Sequence, residues 1–327
     1  MNIVITGGAG FLGRRLADTL LERGVLGGSD GRAATISTIT LVDVVAAPGM
    51  TDARIRQVTG DVDDRQVLER AIDAKTTSIF HLAAVVSGQA EADFDLGMRV
   101  NFDASRHLLE LCRELGHRPR IVFTSSVAVY GGELPSKVPD SLAVTPQTSY
   151  GTQKAMAELL LNDYTRRGFV DGRSLRLPTI SVRPGRPNAA ASSFASGIIR
   201  EPLNGETSIC PVSAATRVWL LSPRTVVDCF ILAHDIDGAT LGSNRLLNLP
   251  GMSISVGDMV ASLERVAGRE TAARIRYEPD PRIERMVATW PGELEASRAR
   301  ALGFPTDVDF DEVIRRYIAE AGISLSR

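Results

Sequence analysis

The sequence predicts an α/β fold, in which helices cover both faces of a doubly wound parallel sheet and a smaller, mostly C-terminal domain follows. Three features predict it. Short apolar segments alternate with helix-period segments through the first half of the 327 residues. A glycine-rich turn at 7–13 joins the first strand candidate to the first helix candidate. After Val182 the chain becomes rich in proline and in small polar residues, which indicates a change of domain.

Six segments have the length and composition of buried strands. Helix-period segments separate the first four, so we expect those strands to be parallel. The strand candidates are Asn2–Thr6, Ile39–Asp43, Ser78–Leu82, Ile121–Thr124, Leu175–Val182 and Arg245–Leu249.

The helix pattern is clearest at Phe11–Arg23, and Gly24 is suited to end that helix. Its leucines are four apart, at positions 12, 16 and 20. The next segment, Gly27–Ser37, is rich in Gly, Ser, Asp and Ala, and we interpret it as a surface insertion. Near the end of the chain, Val256–Val266 and Asp311–Ala321 also have helical patterns.

These patterns predict two domains. We expect a cofactor domain at 1–183 together with about 218–250, and a substrate domain at 184–217 and 251–327. The chain would then pass between the domains more than once.

Charge and hydropathy exclude several classes of partner. The formal net charge is -2 and no basic stripe stands out, so we expect neither nucleic acid nor an anionic membrane as partner. No apolar run is long enough to cross a bilayer. The apolar start Ile3–Ile5 ends at once in Gly7 and Gly8, unlike a signal peptide, so we expect a cytoplasmic protein.

The metal-ligating residue types are scattered. Three cysteines and four histidines occur without ligand spacing, so we expect no metal site and reduced thiols. They are Cys112, Cys210, Cys229, His81, His107, His117 and His234.

The glycine-rich turn has the spacing of a Rossmann-type dinucleotide site. Gly7 would make the tight turn, Gly10 would let the backbone approach a pyrophosphate, and Gly13 would let the helix pack closely. The free N–H groups of the following helix would bind the anion, at Phe11 and Leu12. Because the motif lies between a strand and a helix, we favour cofactor binding over a plain glycine turn.

Asp43 ends the second strand candidate and favours NAD over NADP. A carboxylate there accepts hydrogen bonds from the adenosine ribose and repels a 2′-phosphate. Asp61 and Val62 are weaker candidates for contact with adenine, and Asp61 is equally suited to cap the helix that follows.

Tyr150 and Lys154 are candidates for the catalytic machinery. They are four residues apart at the start of a predicted helix, so their side chains share one face. An ammonium beside a phenol lowers the pKa of the phenol. That is what a general base needs to take a proton from an alcohol.

Ser126 completes this set. It follows the strand Ile121–Thr124, and the carboxyl ends of parallel strands are where doubly wound sheets bind ligands. Its hydroxyl is suited to hold a substrate oxygen, although a serine there also suits a turn or a cap.

The chain resembles the extended short-chain dehydrogenases/reductases, in the group called NAD-dependent epimerases/dehydratases, over nearly its whole length. The segments that carry the resemblance are Thr6–Gly13, His81–Ala84, Val100–Asn101, Thr124–Ser126, Tyr150 with Lys154, and Arg183–Gly185.

The resemblance implies roles for further residues. Leu82, Ala83 and Ala84 would line the cofactor, and Pro184 would lie near the nicotinamide. Lys154 would also bond the nicotinamide ribose. Asn101 would support the catalytic and cofactor sites through the lysine or a water, and Ser126 rather than Ser125 would be the catalytic serine.

The resemblance also narrows the reaction. Dehydratases of the family carry an Asp-Glu pair directly after the catalytic hydroxyl residue, where this chain has Val127 and Ala128, so we do not expect dehydration. The region after Val182 resembles a branch that acts on small sugar acids more than it resembles sugar-nucleotide epimerases. It implies oxidation of a secondary hydroxyl by NAD⁺.

A small sugar acid needs a cationic or amide group for its carboxylate and polar groups for its hydroxyls. For each arginine a structural ion pair is an alternative, and Trp219 is as well suited to a core as to a pocket wall. The candidates are Ser126, Tyr150, Arg183, Asn188, Ser192, Arg217, Trp219 and Arg224.

Two alternatives remain open. One is a nucleotide-sugar 4-epimerase that holds NAD tightly and releases no NADH. The other is a non-catalytic NAD-binding scaffold or sensor, against which the set Ser126, Tyr150 and Lys154 argues. The resemblance also implies a homodimer.

Overall fold

We describe the fold from a computed structural model, which covers residues 1–28, 31–185 and 190–325. Its strands are β1 (Asn2–Thr6), β2 (Val25–Gly27), β3 (Ala33–Thr35), β4 (Thr38–Asp43), β5 (Ile55–Thr59), β6 (Thr76–His81), β7 (Arg120–Ser126), β8 (Asp171–Leu177), β9 (Thr179–Ile180), β10 (Ser208–Cys210), β11 (Arg217–Leu221), β12 (Leu246–Asn248), β13 (Met252–Ser255) and β14 (Ile275–Tyr277).

Its helices are α1 (Phe11–Arg23), α2 (Arg65–Ala71), α3 (Ser87–Ala92), α4 (Phe94–Gly97), α5 (Ala104–Leu115), α6 (Ser149–Arg166), α7 (Phe194–Leu203), α8 (Pro223–Asp235), α9 (Gly238–Leu241), α10 (Val256–Ala267), α11 (Arg269–Ala272), α12 (Pro281–Ala288), α13 (Ser297–Ala301) and α14 (Phe310–Ala321). A π-helical segment, Met98–Asp103, joins α4 to α5.

The chain forms two compact units. The first unit comprises 1–126, 149–176 and 227–247, and the second unit comprises 127–148, 177–226 and 248–327. The chain therefore passes between the units repeatedly. These bounds differ from the expected domains mainly at 127–148, 177–183 and 218–226, which we expected in the cofactor domain and which belong to the second unit.

The central sheet confirms the predicted α/β class. Within the described residues it has seven strands, in the order β12-β8-β7-β6-β1-β4-β5. The pairs β1–β4, β4–β5, β1–β6 and β6–β7 are parallel. The winding direction reverses between β1 and β6, and in such sheets the crevice at the carboxyl ends of these two strands is the usual ligand site.

The core of the first unit packs helices against this sheet. Leu16, Ala17 and Leu20 on one side of α1 are buried, as their spacing predicts. Gly24 ends the helix with a left-handed φ of 66°, a conformation that costs glycine little. The opposite face of the sheet is covered by residues such as Leu108 and Leu161.

The second unit has its own apolar core. Its sheet has the order β13-β11-β9, and β10 pairs with β14 separately. Helices α7, α10 and α14 contribute Ile198, Met259 and Ile314 to the buried cluster. Both helices predicted near the C-terminus, which are α10 and α14, therefore place a residue in this core.

One prediction about local structure is wrong and a second is incomplete. The expected strand Leu175–Val182 is two strands in different sheets, because Pro178 lacks an N–H group and breaks the ladder between β8 and β9. The expected insertion Gly27–Ser37 contains β3, which pairs with β2 as an antiparallel ribbon and buries Leu26. The alternating pattern of so short a ribbon is too weak to recognise in the sequence.

Candidate active site

The backbone around the glycine turn is closely packed and leaves no room for a side chain at Gly7 or at Gly13. Gly7 has a φ of 71°, and a Cβ added to it would lie 2.9 Å from the Ala83 N atom. A Cβ on Gly13 would lie 2.2 Å from the Gly7 carbonyl oxygen. Helix α1 begins at Phe11 with Gly10 as its N-cap, which offers no side-chain acceptor to the first N–H groups. The backbone is thus shaped to receive an anion at this helix end.

Asp43 lies beside this turn, at the carboxyl end of β4. Its Oδ2 atom accepts a hydrogen bond from the Ala9 N–H group at 3.0 Å. The side chain is half-buried. Strand β4 thus holds a carboxylate next to the pyrophosphate turn, where the adenosine ribose of a dinucleotide lies in such folds.

Asp61 and Val62 have less direct roles. Helix α2 is capped by Asp64, which accepts from the Gln66 N–H group at 2.8 Å, so the alternative that Asp61 caps it is wrong. Asp61 is exposed, and its Oδ1 accepts from the Asp63 N–H group. The Val62 side chain is buried in the core, so a contact with adenine would have to come from its backbone.

A series of buried hydrogen bonds positions the segment Leu82–Ala83 next to the glycine turn. The Thr6 hydroxyl accepts from the Ala83 N–H group at 3.2 Å and bonds His81 Nδ1 at 2.7 Å, and His81 Nε2 bonds Ser105. Burial, with a smaller contribution from the Lys154 charge, lowers the pKa of His81 to about 3. The ring is therefore neutral at neutral pH, and Leu82 and Ala83 are held against the turn.

Lys154 is enclosed in the first unit. It is 1% exposed, and its Nζ atom lies 4.8 Å from the ring centre of Phe123 and 5.8 Å from that of Tyr150. Burial lowers the pKa of Lys154 to about 7, against the opposing charge of Glu158. The predicted Tyr150 and Lys154 pair is thus on one face of α6, with the cation over the phenol ring.

Asn101 connects the segment after β6 to helix α6, which carries Tyr150 and Lys154. Its Oδ1 accepts from the Val85 N–H group at 2.8 Å, and its Nδ2 donates to Gln153 Oε1 at 2.8 Å. It lies in the π-helical segment, a geometry that is frequent at functional sites. Asn101 therefore reaches α6 through Gln153, the residue before the lysine.

Ser126 ends β7 and is half-buried, whereas Ser125 is almost fully buried. Of the two, Ser126 is the more accessible to a ligand. The neighbouring Thr124 hydroxyl donates to the His81 carbonyl oxygen at 3.2 Å, which ties β7 to β6. The buried Val127 and Ala128 follow, so no carboxylate stands directly after the serine.

Several of the residues predicted to bind substrate belong to the second unit, and their surroundings differ. Arg183 has its backbone held at both ends, because its N–H group donates to Ser196 Oγ and its carbonyl accepts from Arg200. Arg217 is exposed and donates to Ser253 Oγ at 3.1 Å. Trp219 is a core residue, since its buried indole donates to the Leu249 carbonyl oxygen.

The remaining candidates in this unit are less constrained. Pro184 and Arg224 are exposed, and Ser192 lies in a short 3₁₀ helix at Ala191–Ser193. Asn188 lies outside the described residues. Among the described residues, no cluster of His, Cys, Asp and Glu could hold a metal ion, and no helix is long and apolar enough to span a membrane.

Hydride transfer to a nicotinamide needs a dinucleotide cradle and a group that takes the alcohol proton. The turn at Gly7–Gly13 is suited to the first task and Tyr150 to the second, and together they define an NAD-dependent oxidoreductase that acts on CH–OH groups. Residues 3–236 match the NAD dependent epimerase/dehydratase family, and the chain belongs to this family.

Two relatives that match over nearly their whole length are named dehydrogenases, and a similar solved structure is described as an epimerase. The chain is 61% identical over 324 residues to a D-erythronate dehydrogenase of Cupriavidus necator, covering 99% of this chain and 100% of that one. It is 48% identical over 320 residues to a D-erythronate dehydrogenase of Haemophilus influenzae, with 97% and 99% covered. A crystal structure from Agrobacterium tumefaciens, described as a nucleoside-diphosphate-sugar epimerase, superposes with a TM-score of 0.92 at 45% identity and 100% and 96% coverage.

Proposed function

We propose that the protein oxidises the C2 hydroxyl of D-erythronate to the 2-oxo acid, with NAD⁺ as the acceptor. The observation that carries this proposal is the 61% identity, over essentially both full lengths, to a D-erythronate dehydrogenase. The geometry of the first unit supports it, because Tyr150 and Lys154 form the pair that removal of an alcohol proton needs.

The chain's own residues would divide the reaction between them. Tyr150 takes the hydroxyl proton, and the Lys154 ammonium stabilises the phenolate that does so. Ser126 donates a hydrogen bond to the same oxygen as it becomes a carbonyl. The turn at Gly7–Gly13 would hold NAD⁺, which would supply the acceptor for the C2 hydride, so that the alcohol would yield a ketone, NADH and a proton.

The cofactor contacts follow from the same geometry. The turn at Gly7, Gly10 and Gly13 would hold the pyrophosphate, and Asp43 would bind the adenosine ribose and favour NAD⁺ over NADP⁺. Leu82 and Ala83 would line the nicotinamide side, supported by Thr6.

Among the predicted substrate residues, Arg183 is the strongest candidate to hold the carboxylate of the substrate. Its backbone is fixed at both ends, so its side chain starts from a rigid position and less conformational freedom is lost on binding. Such preorganisation favours a small, charged ligand.

An epimerase is the second candidate, favoured by the 45% identity to the structure from Agrobacterium tumefaciens that is described as one. An epimerase returns the hydride to its substrate, so it would show no net formation of NADH. It would interconvert two nucleotide sugars instead.

One assay separates the two. Purified protein with NAD⁺ is mixed with D-erythronate, other short sugar acids, UDP-glucose or no substrate, and NADH absorbance is followed, with NADP⁺ in parallel. We expect steady NADH formation with D-erythronate. A flat trace across the sugar acids, with conversion of UDP-glucose to UDP-galactose by chromatography, would replace the dehydrogenase by the epimerase.

A further inference from the structure

A buried ion pair lies one helical turn beyond the catalytic lysine. Glu158 is 1% exposed and Arg176 is 6% exposed. The pair is bidentate, because Arg176 Nε donates to Glu158 Oε1 at 2.8 Å and its Nη2 donates to Oε2 at 2.7 Å. Such a fork fixes the position and the charge of the carboxylate.

Helix geometry puts this carboxylate on the catalytic face. Tyr150, Lys154 and Glu158 follow at intervals of four on α6, so the lysine has the tyrosine on one side and the carboxylate on the other. Arg176, near the end of β8, completes the row. The row belongs entirely to the first unit.

The surroundings of Lys154 act on its pKa in opposite directions. Burial lowers the pKa of Lys154, while the charge of Glu158 raises it. From β7 the lysine faces the Phe123 ring, and from β6 it faces His81, whose own pKa is lowered by burial and by the lysine. Glu158 therefore supplies the negative charge that keeps a proton on a buried amine.

We propose that Glu158, fixed by Arg176, is a positioning residue that keeps the proton on Lys154 and so keeps Tyr150 in its basic form. The inference rests on the proposed role of Tyr150 as the base. The active arrangement has an ammonium on Lys154 and a phenolate on Tyr150. Without the carboxylate the same proton moves to Tyr150, which leaves a neutral amine and a phenol.

This proton shift has a kinetic signature. The inactive arrangement holds as many protons as the active one, so no pH restores it, and kcat falls across the whole profile. The alkaline limb also moves to lower pH, because Lys154 loses its proton more easily. We expect kcat to fall about tenfold or more, since an opposite charge near a group typically shifts its pKa by about one to three units.

Three variants separate this role from a merely structural one. Glu158→Gln removes the charge and keeps the shape. Glu158→Gln combined with Arg176→Met removes both charges, which avoids leaving the arginine buried without a counter-charge. Glu158→Asp keeps the charge and should restore part of kcat and move the alkaline limb back.

The matched control is Asp171→Asn. Asp171 lies at the start of β8, the same strand that carries Arg176, and it binds Arg120, Arg173 and Arg245. Its loss also disrupts a partly buried ion cluster in the first unit. It should lower stability without changing the alkaline limb.

A readout without substrate tests the inference directly. The chain has three lysines, Lys75, Lys137 and Lys154, so protein labelled with ε-¹³C-lysine gives three side-chain signals, and Lys154→Met assigns one of them. We expect the Lys154 signal to titrate at lower pH in Glu158→Gln and in the double variant, and at the wild-type pH in Asp171→Asn.

An unchanged Lys154 titration in either folded Glu158 variant would overturn the inference, as would a loss of kcat without a shift of the alkaline limb. Failure of the proposed function is distinguishable. In that case the wild-type protein does not oxidise D-erythronate, whereas the lysine titration still gives its own result.

Discussion

Replacing Gly13 by alanine tests how closely α1 packs on the dinucleotide turn. The added Cβ would lie 2.2 Å from the Gly7 carbonyl oxygen and 2.8 Å from the Gly8 Cα atom. Both neighbours are backbone atoms of the turn, so no side chain can swing aside. The helix and the turn must move apart by about 1 Å to restore an ordinary contact distance.

Two opposite effects on stability compete in this variant. Alanine within a helix is favoured over glycine by about 0.5–1 kcal/mol. Overpacking of a close contact costs about 1–3 kcal/mol, so the clash should win and the unfolding free energy should fall by about 1 kcal/mol. Affinity for NAD⁺ should fall further, because the displaced turn no longer presents its N–H groups to the pyrophosphate.

Gly197→Ala is the matched control. Gly197 is also within a helix, α7, but its added Cβ would meet only Glu201 side-chain atoms, at 3.5 Å or more. That variant should be at least as stable as the wild type and should bind NAD⁺ normally. Urea unfolding and calorimetric titration with NAD⁺ measure both quantities. A Gly13→Ala protein that is stabilised and binds NAD⁺ with wild-type affinity would refute the packing argument.

Three further predictions concern catalysis, cofactor choice and pH. Tyr150→Phe should lower kcat by about 10²–10⁴, the usual contribution of a general base, while calorimetry finds NAD⁺ affinity little changed; near-normal turnover would remove Tyr150 from the mechanism. Asp43→Asn keeps an acceptor for Ala9 but removes the charge, so the ratio of kcat/KM for NADP⁺ to that for NAD⁺ should rise about tenfold; an unchanged ratio would mean that Asp43 does not select the cofactor. Burial lowers the pKa of His81 to about 3 and that of His234 to about 4, so both are neutral in the folded state and gain protons on unfolding below their ordinary value of 6.5. The contribution of the two histidines to stability should therefore be full above pH 6.5 and fall by up to about 1.4 kcal/mol per pH unit for each histidine as the pH drops toward 4, with a smaller slope in His234→Asn; urea midpoints that stay constant over this range would contradict it.

Local patterns predicted the glycine turn and the Tyr150–Lys154 pair because the determinants of each are close in sequence. The turn, the start of α1 and the Tyr150–Lys154 spacing each lie within a few residues, where steric and helical rules apply directly. Buried strands such as β1 and β4 have adjacent apolar residues, Ile3–Ile5 in β1 and Leu41–Val42 in β4. The edge strand β5 has only Val58 fully buried, so its pattern is too weak to predict a strand.

The supporting polar groups could not be predicted in this way. The bond between Thr6 and His81 spans 75 residues, and that between Asn101 and Gln153 spans 52. Pairs so far apart become neighbours only when the strand order is known, and spacing gives no signal for them. The sequence does contain one indication of these bonds, which is the residue type of His81. A histidine that is buried at the end of a parallel strand needs a hydrogen-bond partner for each ring nitrogen.

The separation in sequence between residues that meet in the fold also explains why the reaction is harder to predict than the cofactor. Tyr150, Lys154 and a dinucleotide turn are suited both to oxidation and to epimerisation, because each begins when a hydroxyl group loses its proton and the carbon that bears it loses a hydride. What differs is whether the ketone leaves or is reduced again, and that depends on how the rest of the substrate is held. The groups predicted for it, among them Arg183 with its backbone fixed by Ser196 and Arg200, lie in a part of the sequence that has no comparable motif. Substrate choice therefore depends on residues that a fold-level pattern does not constrain.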